Sequence, residues 1–167
     1  KKAFWHSSSH VLAQALEELY PGVKLSIGPA IENGFYYDVD LGGQVISEKD
    51  FKRIEEKMLA IARGKHDFKI KPVSKAEALN KYEKEGNTYK VELIENLTDG
   101  DITFALLWAQ REDHQFAERT DEMTEEQATE VIQELSRLTS PIVKIGPWSK
   151  QGAPTHTRIV CGDAHRD

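Results

Sequence analysis

An Asn-Gly pair between two extended segments is the feature that most constrains the fold of this chain. Residues 23–31 (VKLSIGPAI) have extended character, Asn33 and Gly34 follow, and residues 35–40 (FYYDVD) continue in extended character. Asn-Gly between two such runs predicts a tight antiparallel β-hairpin. Because successive side chains of a strand point to opposite faces, the returning strand has two distinct faces. One face holds Phe35, Tyr37 and Val39, and the other holds Tyr36, Asp38 and Asp40.

Helical patterns surround this hairpin. Apolar spacing predicts a helix from about His6 to Tyr20, and a second helix begins at Ser47 with Asp50 as its capping partner. Ser74 opens a capping box for a short third helix, and a further helix is predicted over about 125–138. Additional strands are predicted over residues 67–73, 88–95, 102–108 and 139–148. The predicted class is α+β, with an antiparallel sheet packed against helices that include a central helix carrying His6 and His10.

Composition restricts the compartment and the partners. No apolar run approaches the roughly 20 residues that a membrane span needs, and we expect no targeting leader. The single cysteine, Cys161, excludes an internal disulfide and favours a reducing compartment, so we expect a cytoplasmic location and no membrane partner. The formal net charge of −6 argues against binding nucleic acid over the whole surface. Residues 63–75 are locally basic, and they form either a solvated strand face or a patch that contacts RNA phosphates.

Two short motifs carry residues suited to chemistry. His6 and His10 stand four residues apart on one face of the predicted first helix, and Cys161 and His165 have the same spacing near the end of the chain. These four are adequate zinc ligands, and imidazoles also activate water. Each pair alone is common by chance, so two surface histidines and a packed cysteine are the plain alternative. A catalytic Ser-His pair is disfavoured, because the serines at 7–9 do not face either imidazole squarely.

Several longer stretches of the sequence resemble those of a known family. Residues 6–40, the stretch SKAEALNKYEKEGNTYKVELIENL and the segment TDGDITF closely resemble the editing domain of bacterial-type threonyl-tRNA synthetases. The resemblance covers about residues 4–104, and we take residues 1–104 as the editing-domain core. Residues 105–167 match poorly and are taken as a divergent C-terminal part of the same domain, with the helix at about 125–138 followed by strand and loop segments.

The resemblance implies a hydrolytic proofreading function. Such a domain hydrolyses the aminoacyl ester of mischarged seryl-tRNA(Thr), because a single methyl group gives a binding pocket only about 1–3 kcal/mol of discrimination. The implied partners are the aminoacylated 3′ end of tRNA and other synthetase domains, since the chain shows no aminoacylation core. The implied site residues are His6, His10, Lys90 on a predicted strand, Tyr37, Cys161 and His165. The sequence pattern alone leaves a plain alternative for two of these residues. Tyr37 is then an aromatic residue of the core, and Lys90 is a solvent-facing residue.

The cofactor and the rival functions stay open at this stage. A metal-free, water-based site is expected, and zinc is the alternative, with His6, His10, Cys161 and His165 as its ligands. One rival function is a metal-dependent hydrolase of small esters or amides. The other is a non-catalytic interaction domain that docks a partner on the acidic segment at about 120–138. The oligomeric state is not predicted.

Overall fold

A computed structural model describes residues 2–32, 34–64, 67–98, 103–108, 116–118, 143–148 and 156–162, together with Thr124 and residues 126–127 and 129–130. The first half of the chain contains α1 (Lys2–Leu19), β1 (Lys24–Leu25), β2 (Ala30–Ile31), β3 (Gly34–Asp40), a 3₁₀ turn (Glu48–Asp50), α2 (Phe51–Arg63), β4 (Asp67–Pro72), α3 (Lys75–Lys84) and α4 (Thr88–Glu95). The second half contributes β5 (Thr103–Trp108), β6 (Phe116–Glu118), β7 (Val143–Trp148) and β8 (His156–Gly162). The predicted α+β class is confirmed. None of the helices in these ranges combines the length and the apolar character that crossing a bilayer requires.

The main sheet is antiparallel and is built around β3. β1 and β2 lie along one edge of β3, and β8 lies along the other edge, followed by β7. The predicted hairpin is confirmed, because Ala30 pairs with Phe35 and Ile31 with Gly34, while Asn33 itself lies outside the described residues. β8 is separated from β3 by more than a hundred residues of sequence, yet it provides the central pairing partner of that strand.

One face of the main sheet is the core face. Phe35, Tyr37 and Val39 are fully buried there, which confirms the predicted alternation of β3. β8 adds Ile159 opposite Tyr37 and Cys161 opposite Phe35, and both belong to the same apolar cluster. α1 packs on β2 and β3 and also on α2, whose buried side chains include Ile54 and Met58. The resulting core is a helix layer against one face of an antiparallel sheet.

The other face of the sheet carries a charged cross-strand pair. Arg158 of β8 donates two hydrogen bonds to the carboxylate of Asp38 on β3, from Nε at 2.6 Å and from one terminal guanidinium nitrogen at 2.8 Å. The guanidinium also lies 3.9 Å from the centroid of the Tyr36 ring, a cation–π geometry. Since Asp38 is buried, this bidentate pair compensates the desolvation of its carboxylate.

Local signals in the sequence fix several helix starts. The Asp50 carboxylate accepts hydrogen bonds from the backbone N–H (2.9 Å) and the hydroxyl (3.0 Å) of Ser47. These bonds lower the pKa of Asp50. Ser74 Oγ accepts the backbone N–H of Glu77 at 3.2 Å, so Ser74 is confirmed as the N-cap of α3. Farther along, Thr124 and Gln127 exchange reciprocal capping bonds at 3.0 and 3.2 Å, and residues 126–127 and 129–130 are helical; the rest of the predicted 125–138 helix lies outside the described residues.

The prediction of a strand over residues 88–95 is wrong. This segment is the helix α4, and Asn87 caps it by accepting the backbone N–H of Lys90 at 3.2 Å. Gly86, at φ 64°, takes the left-handed conformation that turns the chain from α3 into α4. The buried residues of α4, Lys90 and Ile94, are four apart, which is a helical spacing. The other predicted strands are confirmed within the described residues as β4, β5 and β7, and α1 begins at Lys2 rather than His6.

Gly28 provides the first test of this packing. A Cβ atom at Gly28 would lie 2.2 Å from two carbons of the buried Tyr37 ring, so Gly28→Ala forces the ring or the backbone to move. We expect the free energy of unfolding to fall by about 1–3 kcal/mol, measured by urea denaturation. The matched control is Gly64→Ala, because Gly64 is exposed with φ −62° and should tolerate a side chain. Equal stability of both variants would contradict the assigned contact.

The Asp38–Arg158 pair provides the second test. Arg158→Met leaves a buried carboxylate without its two guanidinium bonds, so we expect the variant to lose about 2 kcal/mol or more of unfolding free energy. The double variant Asp38→Leu with Arg158→Met removes the unpaired buried carboxylate and should regain part of the lost unfolding free energy. Urea denaturation of all the variants measures both effects. If the double variant has a lower unfolding free energy than Arg158→Met by as much as Asp38→Leu lowers that of the wild type, the two side chains do not interact. That result would contradict the pairing.

Candidate active site

The helix that carries the two histidines is buried around its whole circumference. Residues 6–16 of α1 are all buried, polar and apolar side chains alike. An ordinary surface helix would bury a single stripe and expose the rest. The position of α1 as the central helix therefore brings imidazole, hydroxyl and amide groups into the interior, where each needs a hydrogen-bonding or stacking partner.

His6 and His10 meet as a stacked pair. Their ring centroids are 5.0 Å apart with an interplanar angle of 20°, and the exposed fractions of the residues are 8% and 0%. The serines beside them bond to the helix itself, because Ser8 Oγ donates to the Phe4 carbonyl and Ser9 Oγ to the His6 carbonyl, each at 2.7 Å. Such bonds use the hydroxyl protons locally. For Ser8 and Ser9, this geometry agrees with the expectation that they do not form a catalytic pair with histidine.

Lys90 is buried on α4, rather than solvent-facing on a strand. Its exposed fraction is 1%, and it shares a helix face with Asn87 and Ile94. The Asn87 side chain donates to the Leu25 carbonyl of β1 at 3.1 Å, so this face of α4 is attached to the edge of the main sheet. Tyr89 reinforces the attachment by donating to the Asp40 carboxylate at 3.2 Å, and burial followed by that carboxylate raises the pKa of Tyr89. The helix that carries Lys90 is therefore anchored to the edge of the main sheet, with the lysine side chain buried.

Tyr37 and Cys161 lie in the apolar core beneath α1. Tyr37 has no exposed surface, and it belongs to the cluster that includes Val11, Leu12 and Cys161. Burial raises the pKa of the Cys161 thiol far above its usual value, and the Glu55 carboxylate adds to the rise. The thiol is thus held in its protonated form, whereas zinc is bound by a thiolate.

The proposed zinc ligands are brought together only in part. Among the described residues, no three His, Cys, Asp or Glu side chains are close enough to hold a metal ion, so His6, His10 and Cys161 do not form such a group there. His165, the fourth predicted ligand, lies outside the described residues. The metal-free site stays the prediction, with zinc as its alternative.

A polar row on α1 escaped the sequence interpretation. Gln14 and Glu18 continue the four-residue spacing of His6 and His10, which places all four side chains along one ridge of the helix. Gln14 Nε2 donates to Glu18 Oε1 at 3.0 Å, and Lys57 of α2 forms an ion pair with Glu18 Oε2. The signal for this row was present in the sequence as a polar residue at every fourth position from 6 to 18.

The basic stretch at 63–75 is partly engaged within the protein. Lys75 Nζ donates to the Glu95 carbonyl at 2.7 Å and the Leu97 carbonyl at 2.9 Å, at the C-terminal end of α4. A cation at this end of a helix is favourable, because the carbonyl groups there carry partial negative charge. Lys71 lies 3.4 Å from the Glu77 carboxylate. Lys75 therefore links the start of α3 to the end of α4, and Lys71 links β4 to α3.

The chain is similar to a segment of threonine–tRNA ligases. No protein-family model matches it. The threonine–tRNA ligase of Flavobacterium johnsoniae is 70% identical over 104 residues, that of Flavobacterium psychrophilum 64% over 104, and that of Parabacteroides distasonis 56% over 103. Each alignment covers 62% of this chain, which spans 16% of the length of the curated relatives that it matches. The resemblance to threonyl-tRNA synthetases is thus confirmed.

The burial of Cys161 generates a prediction about its reactivity. In the native protein we expect the thiol to react with a disulfide reagent roughly a hundredfold or more slowly than in urea, because the thiolate is disfavoured and shielded. Absorbance of the released thiol reagent measures both rates, and the urea-unfolded chain is the internal control. Native labelling at the rate of an exposed thiol would contradict the position of Cys161 in the core.

Proposed function

We propose that this chain is a hydrolytic editing module of a longer threonyl-tRNA synthetase, acting in the cytoplasm. Its reaction is hydrolysis of the ester that joins serine to the terminal ribose of tRNA(Thr). The similarity to threonine–tRNA ligases supports the assignment to a synthetase. The similarity supports a synthetase, and the editing reaction is inferred from the arrangement of the buried residues.

The stacked pair of buried histidines is the observation that carries the proposal. The two imidazoles stack with ring centroids 5.0 Å apart, and both residues are buried. A neutral imidazole accepts a proton from water and turns it into a nucleophile for the ester carbonyl. Enclosure in the interior strengthens this effect, because bulk water does not screen the developing charges.

Lys90 has the complementary role in the proposal. Attack on the ester places negative charge on the carbonyl oxygen, and a preorganised cation stabilises that oxyanion more than it stabilises the neutral ester. The attachment of α4 to β1 through Asn87 holds the lysine without reorganisation during the reaction. The same ammonium could alternatively hold a phosphate of the RNA 3′ end, and the two roles differ in whether kcat or KM responds to its removal.

The remaining predicted residues take supporting roles. We infer that Tyr37 and Cys161 form the wall of the site beneath α1, since both belong to the core cluster that packs on that helix. His165 stays a predicted member of the site. Other synthetase domains would bring the tRNA, so only its 3′ end needs to enter this acidic chain of net charge −6.

Deacylation assays test the proposal directly. The wild-type chain should hydrolyse seryl-tRNA(Thr) and spare threonyl-tRNA(Thr), and His10→Gln and Lys90→Met should each lower the rate by about 10²- to 10⁴-fold. Lys84→Met is the matched control, because Lys84 is exposed on α3 and the chemical change is the same. Circular dichroism and urea midpoints establish that each variant is folded.

Three outcomes would overturn this function. Full activity of both variants would remove the assigned roles, and absence of activity in the folded wild-type chain would remove the editing reaction. Hydrolysis of a simple ester such as p-nitrophenyl acetate, abolished by a chelator and restored by zinc, with no action on seryl-tRNA, would instead establish the metal-dependent hydrolase.

A further inference from the structure

We propose that Gln14 is a substrate-binding residue whose amide oxygen accepts a hydrogen bond from the α-ammonium group of the aminoacyl ester. This inference rests on the proposed function and extends it to a residue that the sequence interpretation did not include. Gln14 belongs to the polar row of α1, which consists of His6, His10, Gln14 and Glu18.

The orientation of the Gln14 amide follows from its partner. Glu18 is ion-paired with Lys57, so its carboxylate is charged and can only accept hydrogen bonds. The group that faces Glu18 must therefore be the amide nitrogen, which donates at 3.0 Å. The amide oxygen is consequently turned away from Glu18. On the other side of Gln14, one turn back along the helix, lies His10.

The amide oxygen of Gln14 is a buried hydrogen-bond acceptor. Gln14 is 5% exposed, and its Oε1 atom is buried with no hydrogen-bond partner within the described part of the chain. Buried acceptors in folded proteins are nearly always satisfied, and one that is left open marks a place where a ligand or water binds. Gln14 lies one helical turn after His10 on the same ridge of α1, so this acceptor belongs to the same row as the residue that would activate water in the proposed reaction.

An α-ammonium group is the donor that fits this acceptor best. It adjoins the scissile carbonyl of every aminoacyl ester, and it must find acceptors when it leaves water for a buried site. The Glu18 carboxylate is already engaged by Lys57 and by Gln14 itself. An imidazole that serves as base needs its own acceptor nitrogen for water. Within the row, the Gln14 oxygen is the acceptor that stays available for the substrate.

Blocking the α-amino group provides the test. We expect the wild-type chain to hydrolyse seryl-tRNA(Thr) about 10- to 100-fold faster than N-acetyl-seryl-tRNA(Thr), because the amide of the blocked substrate cannot provide a charged donor. Gln14→Met retains the length of the side chain and removes the acceptor, so the preference for the free amine should collapse toward one. Gln44→Met is the control, since Gln44 is an exposed loop glutamine and should retain the preference.

Binding of a non-hydrolysable analogue, 3′-serylamido-3′-deoxyadenosine, separates this inference from the proposed function. Calorimetry should show weaker binding of its N-acetyl form to the wild-type chain but not to Gln14→Met. If wild type binds and hydrolyses both amine forms equally, the role of Gln14 is wrong and editing stands. If Gln14→Met slows both substrates by the same factor, Oε1 holds water or supports packing, and the inference also falls. If wild type neither binds the analogue nor hydrolyses seryl-tRNA, the proposed function and the inference fail together.

Discussion

The burial of residues 6–16 of α1 on all sides of the helix is the constraint on which the rest of the structure depends. A helix of this composition, with three serines, two histidines and a glutamine among its buried residues, would normally leave its polar side toward water. Here the sheet covers one side and α2 another, so the polar groups must be satisfied inside the protein. Serine hydroxyls do this by bonding to carbonyls of their own helix, the imidazoles stack on each other, and Glu18 pairs with Lys57. The interior thereby contains a polar row whose geometry is fixed by the helix backbone.

The sheet that supports α1 is closed by a strand from the far end of the chain. β8 places Ile159 and Cys161 in the core beside Tyr37 and Phe35, and it presents Arg158 to the buried carboxylate of Asp38 on the opposite face. The same two strands therefore contribute apolar burial on one face of the sheet and a charged, bidentate contact on the other. Because both contacts depend on one register, a slip of a single residue would bury Arg158 and expose Ile159. The charged pair and the apolar pair thus select the same alignment of the two strands.

Short-range signals in the sequence predicted most of the helices and strands. The elements that were predicted wrongly depend on long-range contacts. The Asn-Gly hairpin, the capping residues Ser47 and Ser74, and the alternation of β3 each depend on neighbours within a few residues, and all are confirmed. The segment at 88–95 alternates as a strand would, but its conformation is decided by Asn87, whose amide caps α4 and also bonds the distant Leu25 carbonyl. The row from His6 to Glu18 was predicted only in its first half, because the ion pair with Lys57 cannot be read from α1 alone.

The change of residues 88–95 from strand to helix alters how a charged group can serve the proposed site. A lysine on a strand would be positioned by ladder bonds to its neighbours. On α4, Lys90 is instead positioned by a side-chain amide whose oxygen caps the helix and whose nitrogen bonds an edge carbonyl of β1. β1 is in turn paired with β3, and β3 contacts α1. The backbone of α4 is therefore connected to α1 through a side-chain bond to β1, the β1–β3 ladder and the packing of β3 on α1. Such a connection positions a residue of a helix from a sheet edge, without a flexible loop between the two.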